Sequence, residues 1–183
     1  MDLQVLPFGN AKIDQDHKVV KCQHGPGECD ANTFELCAIA LTNGHVEDYL
    51  PFLLCTARQL PPGFAAGPFD HHIFQACAVA SNLWWEALLA CHDTPSLAWQ
   101  VTQKAAADTP EHPYVPYVLL NGEPMNDDVD FMEEVCRLYQ EQGVEYPPCR
   151  KQSMTTKDVF AVAKTCPNDW VAWDESMEST VVR

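Results

Sequence analysis

The chain has 183 residues, a hydrophobic fraction of 46% and a formal net charge of -15. That length suits one domain with a core of its own. With 11 Lys and Arg against 26 Asp and Glu, scattered along the chain, it lacks the clustered cations a phosphate backbone demands, so nucleic acid is excluded as partner. No apolar run approaches the ~18 residues of a membrane span, and the acidity (pI near 4.6) reads as solubility.

In chain order, Asp2 to Phe8 alternates weakly and stops at Gly9-Asn10, which predicts a short strand. Ala11 to Lys21 is a polar loop or hairpin arm. From Asn32 or Thr33, Phe34, Cys37, Ala38 and Leu41 recur at helical spacing, with Asn43-Gly44 as a stop. A second helix is predicted from Asp48 to Gln59, with Pro51 tolerable only in its first turn. Leu60 to Pro68 reads as a linker. Helices are predicted over Asp70 to Ala80 and Ser81 to Cys91, with Trp84 and Trp85 as packing for them. Thr94-Pro95 then opens a helix to about Ala107. His71-His72 reads as an exposed helix start. Tyr117 to Leu120 is a strand turning at Asn121-Gly122, and Asp127-Asp128 cap a last helix that ends at Gly143. The remainder, 150–183, reads as a partly disordered extension with one possible helical turn over Thr156 to Lys164.

Nine cysteines spread along 183 residues point to a disulfide framework made in an oxidising compartment. The N-terminus has neither the basic nor the apolar region of a signal peptide, and no Asn-x-Ser/Thr sequon occurs. The densest stretch is Cys22 to Cys37, Cys-Gln-His-Gly-Pro-Gly-Glu-Cys-Asp-Ala-Asn-Thr-Phe-Glu-Leu-Cys. A bridge between Cys22 and Cys29 would close an eight-residue loop, worth about 2.5 kcal/mol in the chain-entropy model. The rival is a zinc site of Cys22, His24, Cys29 and Cys37, although the spacing fits no common zinc template. His24 reads as a hydrogen-bonded loop residue, with acid–base duty as the alternative.

Cys22, Gln23, His24, Gly25, Glu28, Cys29, Asn32 and Cys37 together resemble the signature of the gamma-interferon-inducible lysosomal thiol reductase family. Pro7, Phe8, Gly9 and Asn10 ahead of it match too, as do Tyr114, Val115, Pro116, Tyr117, Asn121 and Gly122. The resemblance covers about Leu3 to Cys149. It implies an α/β, thioredoxin-like fold with a large helical insertion (about 32–107) inside a domain of residues 1–149. It also implies a cis Val115–Pro116 bond, and a substrate-facing loop of Tyr114, Val115, Pro116 and Tyr117. Cys22, Cys29, Cys37, Cys55, Cys77, Cys91, Cys136 and Cys149 align with the family's structural set and could form four bridges, in any of 105 connectivities. Cys166 is then the odd one, free or an intermolecular handle.

The family reduces disulfides in protein substrates, without metal or organic cofactor, in lysosomal or extracellular locations. The chemistry needs one thiolate to attack and a second thiol to resolve, supplied in such folds by Cys-x-x-Cys at a helix start. No two of the nine cysteines have that spacing, so no catalytic residue is assigned. The expectation is a chain that lacks the first strand, dithiol and first helix of the fold, with the signal peptide lost alongside them. The alternatives are a redox-inactive, disulfide-stapled module that binds unfolded or cysteine-containing peptide through the Pro116 loop, and a small zinc-binding interaction protein centred on Cys22 to Cys37.

Overall fold

The computed structural model describes residues 3–60, 69–126, 128–151 and, as backbone, 166–167. Its chain divides into two compact units at His112. Helices and short antiparallel strand pairs occur in a mixed helix-and-sheet fold.

The first unit is built around helix α1, Pro26–Leu41. It starts earlier than the periodicity predicts. Gly25 takes the cap position at φ 101°, ψ -168°, backbone open only to glycine, and Pro26 supplies the first helical residue. The Gly-Pro-Gly run that reads as loop is therefore a helix start. Asn43 and Gly44 end the helix in the left-handed region, as expected. α1 buries two faces at once. Phe34, Cys37 and Ala38 join the main core, while Leu36 joins a smaller cluster with Phe8, Ala11, Cys22 and Ala105.

Around α1 lie α2 (Val46–Gln59), α3 (His71–Ala80), α4 (Trp85–Asp93) and α5 (Pro95–Asp108). Tyr49, Phe52 and Leu53 from α2, Phe74 and Ala78 from α3 and Leu88 from α4 complete the main core. Pro51 is the sixth residue of α2, not in its first turn as the sequence reading required. The carbonyl of Glu47 thereby loses its helical donor, and both residues lie on the exposed side, where water substitutes. Asp70 caps α3 by accepting from the His72 N–H at 3.0 Å. α4 begins at Trp85, four residues later than predicted, because Asn82 turns the chain at φ 58°. Trp84 is consequently 73% exposed and Trp85 alone packs on the core, which corrects the reading of the pair as packing.

Strands β1 (Lys12–Asp14) and β2 (Val19–Lys21) form a hairpin whose turn is organised by Asp14, its carboxylate accepting from the N–H groups of Asp16 and His17. The strand predicted over Asp2 to Phe8 is not formed in its described part. Among the described residues no strand pairs with 3–6, and an extended segment without a ladder partner is not a sheet. Val5 instead packs on the core, and the Tyr49 hydroxyl donates to the Leu3 carbonyl at 3.3 Å.

One polar contact joins α1 to α2 from within. Burial pushes the Glu35 carboxyl up to about 7, against the opposing effect of its hydrogen bond with Thr56. The Thr56 hydroxyl lies 3.0 Å from Glu35 Oε1 and 2.9 Å from the Leu53 carbonyl. It has a single proton to give. If it donates to Leu53, a protonated Glu35 donates to Thr56 and every group is satisfied. The unfolded carboxyl titrates near its ordinary 4.5, so this contribution is complete below that pH and lost as pH rises through about 7. Glu35→Gln, which keeps a donor without the charge, is expected to be about 2–3 kcal/mol more stable than the parent above about pH 7. The gap should close towards about pH 4.5. Urea unfolding at both ends of that range is the check; an unchanged gap would place the carboxyl's titration elsewhere.

The second unit holds β3 (Tyr114–Val115), the hairpin β4 (Leu119–Leu120) and β5 (Glu123–Pro124), and α6 (Phe131–Glu141) followed by a 3-10 turn over Pro147–Lys151. Asn121 and Gly122 turn the hairpin at φ 53° and 85°, as their sequence signal predicts. The cap of α6 is Asp130, which accepts from the Met132 and Glu133 N–H groups at 2.9 and 3.1 Å, rather than Asp127-Asp128. Two residues beyond that pair, Asp130 is the carboxylate that reaches the first free amides. The linker over 61–68, the turn at Thr156 to Lys164 and the acidic tail lie outside the described residues.

Candidate functional site

The signature segment folds into one corner of the first unit. Cys22 and Cys29 are bridged, with Cα atoms 5.5 Å apart, and the bridge ties the end of β2 to the first turn of α1. Gln23 turns inward and accepts from the Asn10 side-chain amide at 2.7 Å, a buried bond that joins the Pro7-Phe8-Gly9-Asn10 turn to the signature. Glu28 reaches back over the helix start. Its Oε2 accepts the His24 N–H at 2.6 Å and lies 3.1 Å from His24 Nδ1. A carboxylate in the first turn also meets the positive end of the helix dipole. His24 is thus a hydrogen-bonded loop residue held by Glu28, and Asn32 stands half-buried two turns into α1.

The other aligned cysteines pair as Cys37–Cys91, Cys55–Cys77 and Cys136–Cys149. The first two link α1 to α4 and α2 to α3; the third fastens α6 to the 3-10 turn. The zinc reading of Cys22, His24, Cys29 and Cys37 is overturned here. A thiolate is the metal ligand, and all three sulfurs are locked in disulfides.

In the second unit the Val115–Pro116 bond is cis. Pro116 is exposed while Tyr114, Val115 and Tyr117 are half-buried, and the two tyrosine rings meet edge-to-face at 5.7 Å. The Tyr114–Val115 backbone pairs antiparallel with Cys166–Pro167, with Cys166 opposite Val115. The sequence places Cys166 in the tail and offers no local sign of this pairing.

Sequence reading misses a third group altogether. Asp30 of α1, His71 at the first residue of α3 and His92 near the end of α4 bring ligand atoms within 4.8 Å of one another. His71 is therefore no free helix start. Burial works against a charge on His92, but hydrogen bonds with Asp30 at 2.9 Å and Asp93 at 2.7 Å outweigh it and raise its pKa. Three helices supply the group, so no local spacing announces it.

Residues 1–81 match the family model for gamma interferon inducible lysosomal thiol reductase. The chain is 28% identical over 163 residues to the gamma-interferon-responsive lysosomal thiol protein of Arabidopsis thaliana, covering 85% of this chain and 64% of that protein. It is 29% identical over 150 residues to the gamma-interferon-inducible lysosomal thiol reductase of Carassius auratus, covering 76% and 56%. The same holds for the mouse protein of that name, at 29% over 157 residues, 80% and 57%. The chain therefore spans less than two thirds of the length of these relatives. No helix among the described residues is long and apolar enough to cross a membrane. The residues that carry the resemblance, Cys22, Gln23, His24, Gly25, Glu28, Cys29, Asn32 and Cys37, all fall within the matched segment: over residues 1–81 this chain is similar to the gamma interferon inducible lysosomal thiol reductases.

Proposed function

We propose that this chain is part of a lysosomal or extracellular thiol oxidoreductase that reduces disulfide bonds in protein substrates, on a thioredoxin-like fold with the helical insertion at about 32–107. The observation that carries it is the signature corner, where Gln23, His24 and Glu28 are engaged by hydrogen bonds around a Cys22–Cys29 bridge. In the exchange, a thiolate attacks one substrate sulfur and the other leaves as a thiol. A second enzyme thiol then displaces the substrate from the mixed disulfide, leaving the enzyme oxidised until an external thiol reduces it. Eight of the nine cysteines are already paired with one another, and none has Cys-x-x-Cys spacing. The exchange is accordingly assigned to the whole protein and not to these cysteines. Tyr114, Val115, Pro116 and Tyr117 are proposed to face the substrate, the aromatic pair offering apolar contact.

The test is turnover of a disulfide substrate by the full-length protein from its native source, with its intact mass and its thiols counted by alkylation without reductant. Turnover, together with a Cys-x-x-Cys peptide outside residues 1–183, is expected. A full-length protein that binds unfolded, cysteine-containing peptide without turnover would sink the reductase reading and leave the redox-inactive binding module.

A further inference from the structure

We propose that Asp30, His71 and His92 form a binding site for a divalent cation of the zinc class, cross-linking α1, α3 and α4. The donor set, two imidazole nitrogens and one carboxylate oxygen, is one that zinc accepts with water completing the tetrahedron. Both imidazoles aim Nε2 at the same atom, Asp30 Oδ1, His92 from 2.9 Å and His71 from 3.7 Å. The longer distance is beyond hydrogen-bond reach, so a lone carboxylate oxygen does not satisfy both rings. Around a cation with bonds of ~2.0–2.1 Å, neighbouring tetrahedral ligands stand roughly 3.3 Å apart. The two distances to Asp30 straddle that value, and the two imidazole nitrogens, which lie within 4.8 Å of each other, close towards it when the ion binds.

The surroundings are those of a held site. Phe34 forms the floor: the His92 ring stacks on it at 3.8 Å and 8°, and the His71 ring meets it edge-on at 4.9 Å and 83°. Asp30 Oδ2 accepts the Phe69 N–H at 3.2 Å, which turns Oδ1 towards the histidines. His92 Nδ1 lies 2.7 Å from Asp93, so its proton sits there and the Nε2 lone pair is presented to the cation in place of a proton shared with Asp30. His92 and Asp30 side chains are 14% and 12% exposed while His71 is 39% exposed, which leaves one side open for the ion and its water.

The experiment is equilibrium dialysis of the oxidised 183-residue chain against Zn2+, using Cys166→Ser as the parent so that no unpaired thiol competes. About one zinc per chain is expected, with an increase in Tm as zinc is added. His71→Ala, at the most exposed ligand, should abolish saturable binding and with it the zinc-dependent rise in Tm. Asp93→Asn should weaken binding by about 10–100-fold without touching a ligand. His17→Ala, on the β-hairpin, should bind as the parent does. A parent that takes up no zinc saturably, or a His71→Ala and an Asp93→Asn that both bind as tightly as the parent, would overturn the site and leave a hydrogen-bonded cluster only. Should His71→Ala fail to fold, Asp93→Asn alone decides between the same two results.

Discussion

Phe34→Ala is expected to destabilise the protein by about 3–5 kcal/mol, the range for removing a fully buried aromatic ring. Phe34 is 0% exposed and touches aromatic rings from two other helices: Phe74 stacked at 4.2 Å, Trp85 at 5.8 Å, His92 at 3.8 Å and His71 edge-on. The cavity left behind is lined by rings fixed on α3 and α4, and the Cys37–Cys91 bridge ties α4 to α1, so little collapse can fill it. Phe34→Leu should recover much of the loss. Chemical denaturation with the disulfides intact gives the value; a cost under about 1 kcal/mol would mean that the helices close over the gap.

The second large effect is removal of the Cys37–Cys91 bridge by a double alanine replacement, expected to cost about 4 kcal/mol in the chain-entropy model. Its residues are separated by 54 positions, against 22 for Cys55–Cys77, 13 for Cys136–Cys149 and 7 for Cys22–Cys29. Because the constraint on the unfolded chain grows with the logarithm of loop length, the same replacement of Cys22 and Cys29 should cost only about 2.5 kcal/mol. The order of the two losses is the sharper test, since both variants are measured against one parent. Should Cys22–Cys29 prove the costlier, local order at the signature corner would outweigh loop entropy.

Much of this was legible in the sequence, and for local reasons. Asn121-Gly122 and Asn43-Gly44 accept positive φ cheaply, so they mark turns wherever they stand. Thr94-Pro95 opens α5 because a proline at the first helical residue loses no hydrogen bond. What was not legible depends on partners. Leu3 to Leu6 alternates like a strand, but alternation does not provide the neighbour a strand needs. Pro51 is tolerated mid-helix because its face is exposed, which only the folded α2 decides. Pro26 obeys the same rule as Pro95, yet the glycines beside it hid the helix start. Asp30, His71 and His92 have no shared register at all; His92 and Asp30 are 62 residues apart and meet through the packing of α1 with α4.

The half-buried contact between Glu35 and Thr56 adds a proton-consuming step to folding. Between about pH 4.5 and pH 7 the unfolded chain has this carboxyl ionised while the folded chain keeps it protonated, so each molecule that folds takes up to one proton from its surroundings. The proton behaves as a ligand of the α1–α2 contact. Acidification favours the folded chain through that contact, and raising the pH through about 7 withdraws the contribution.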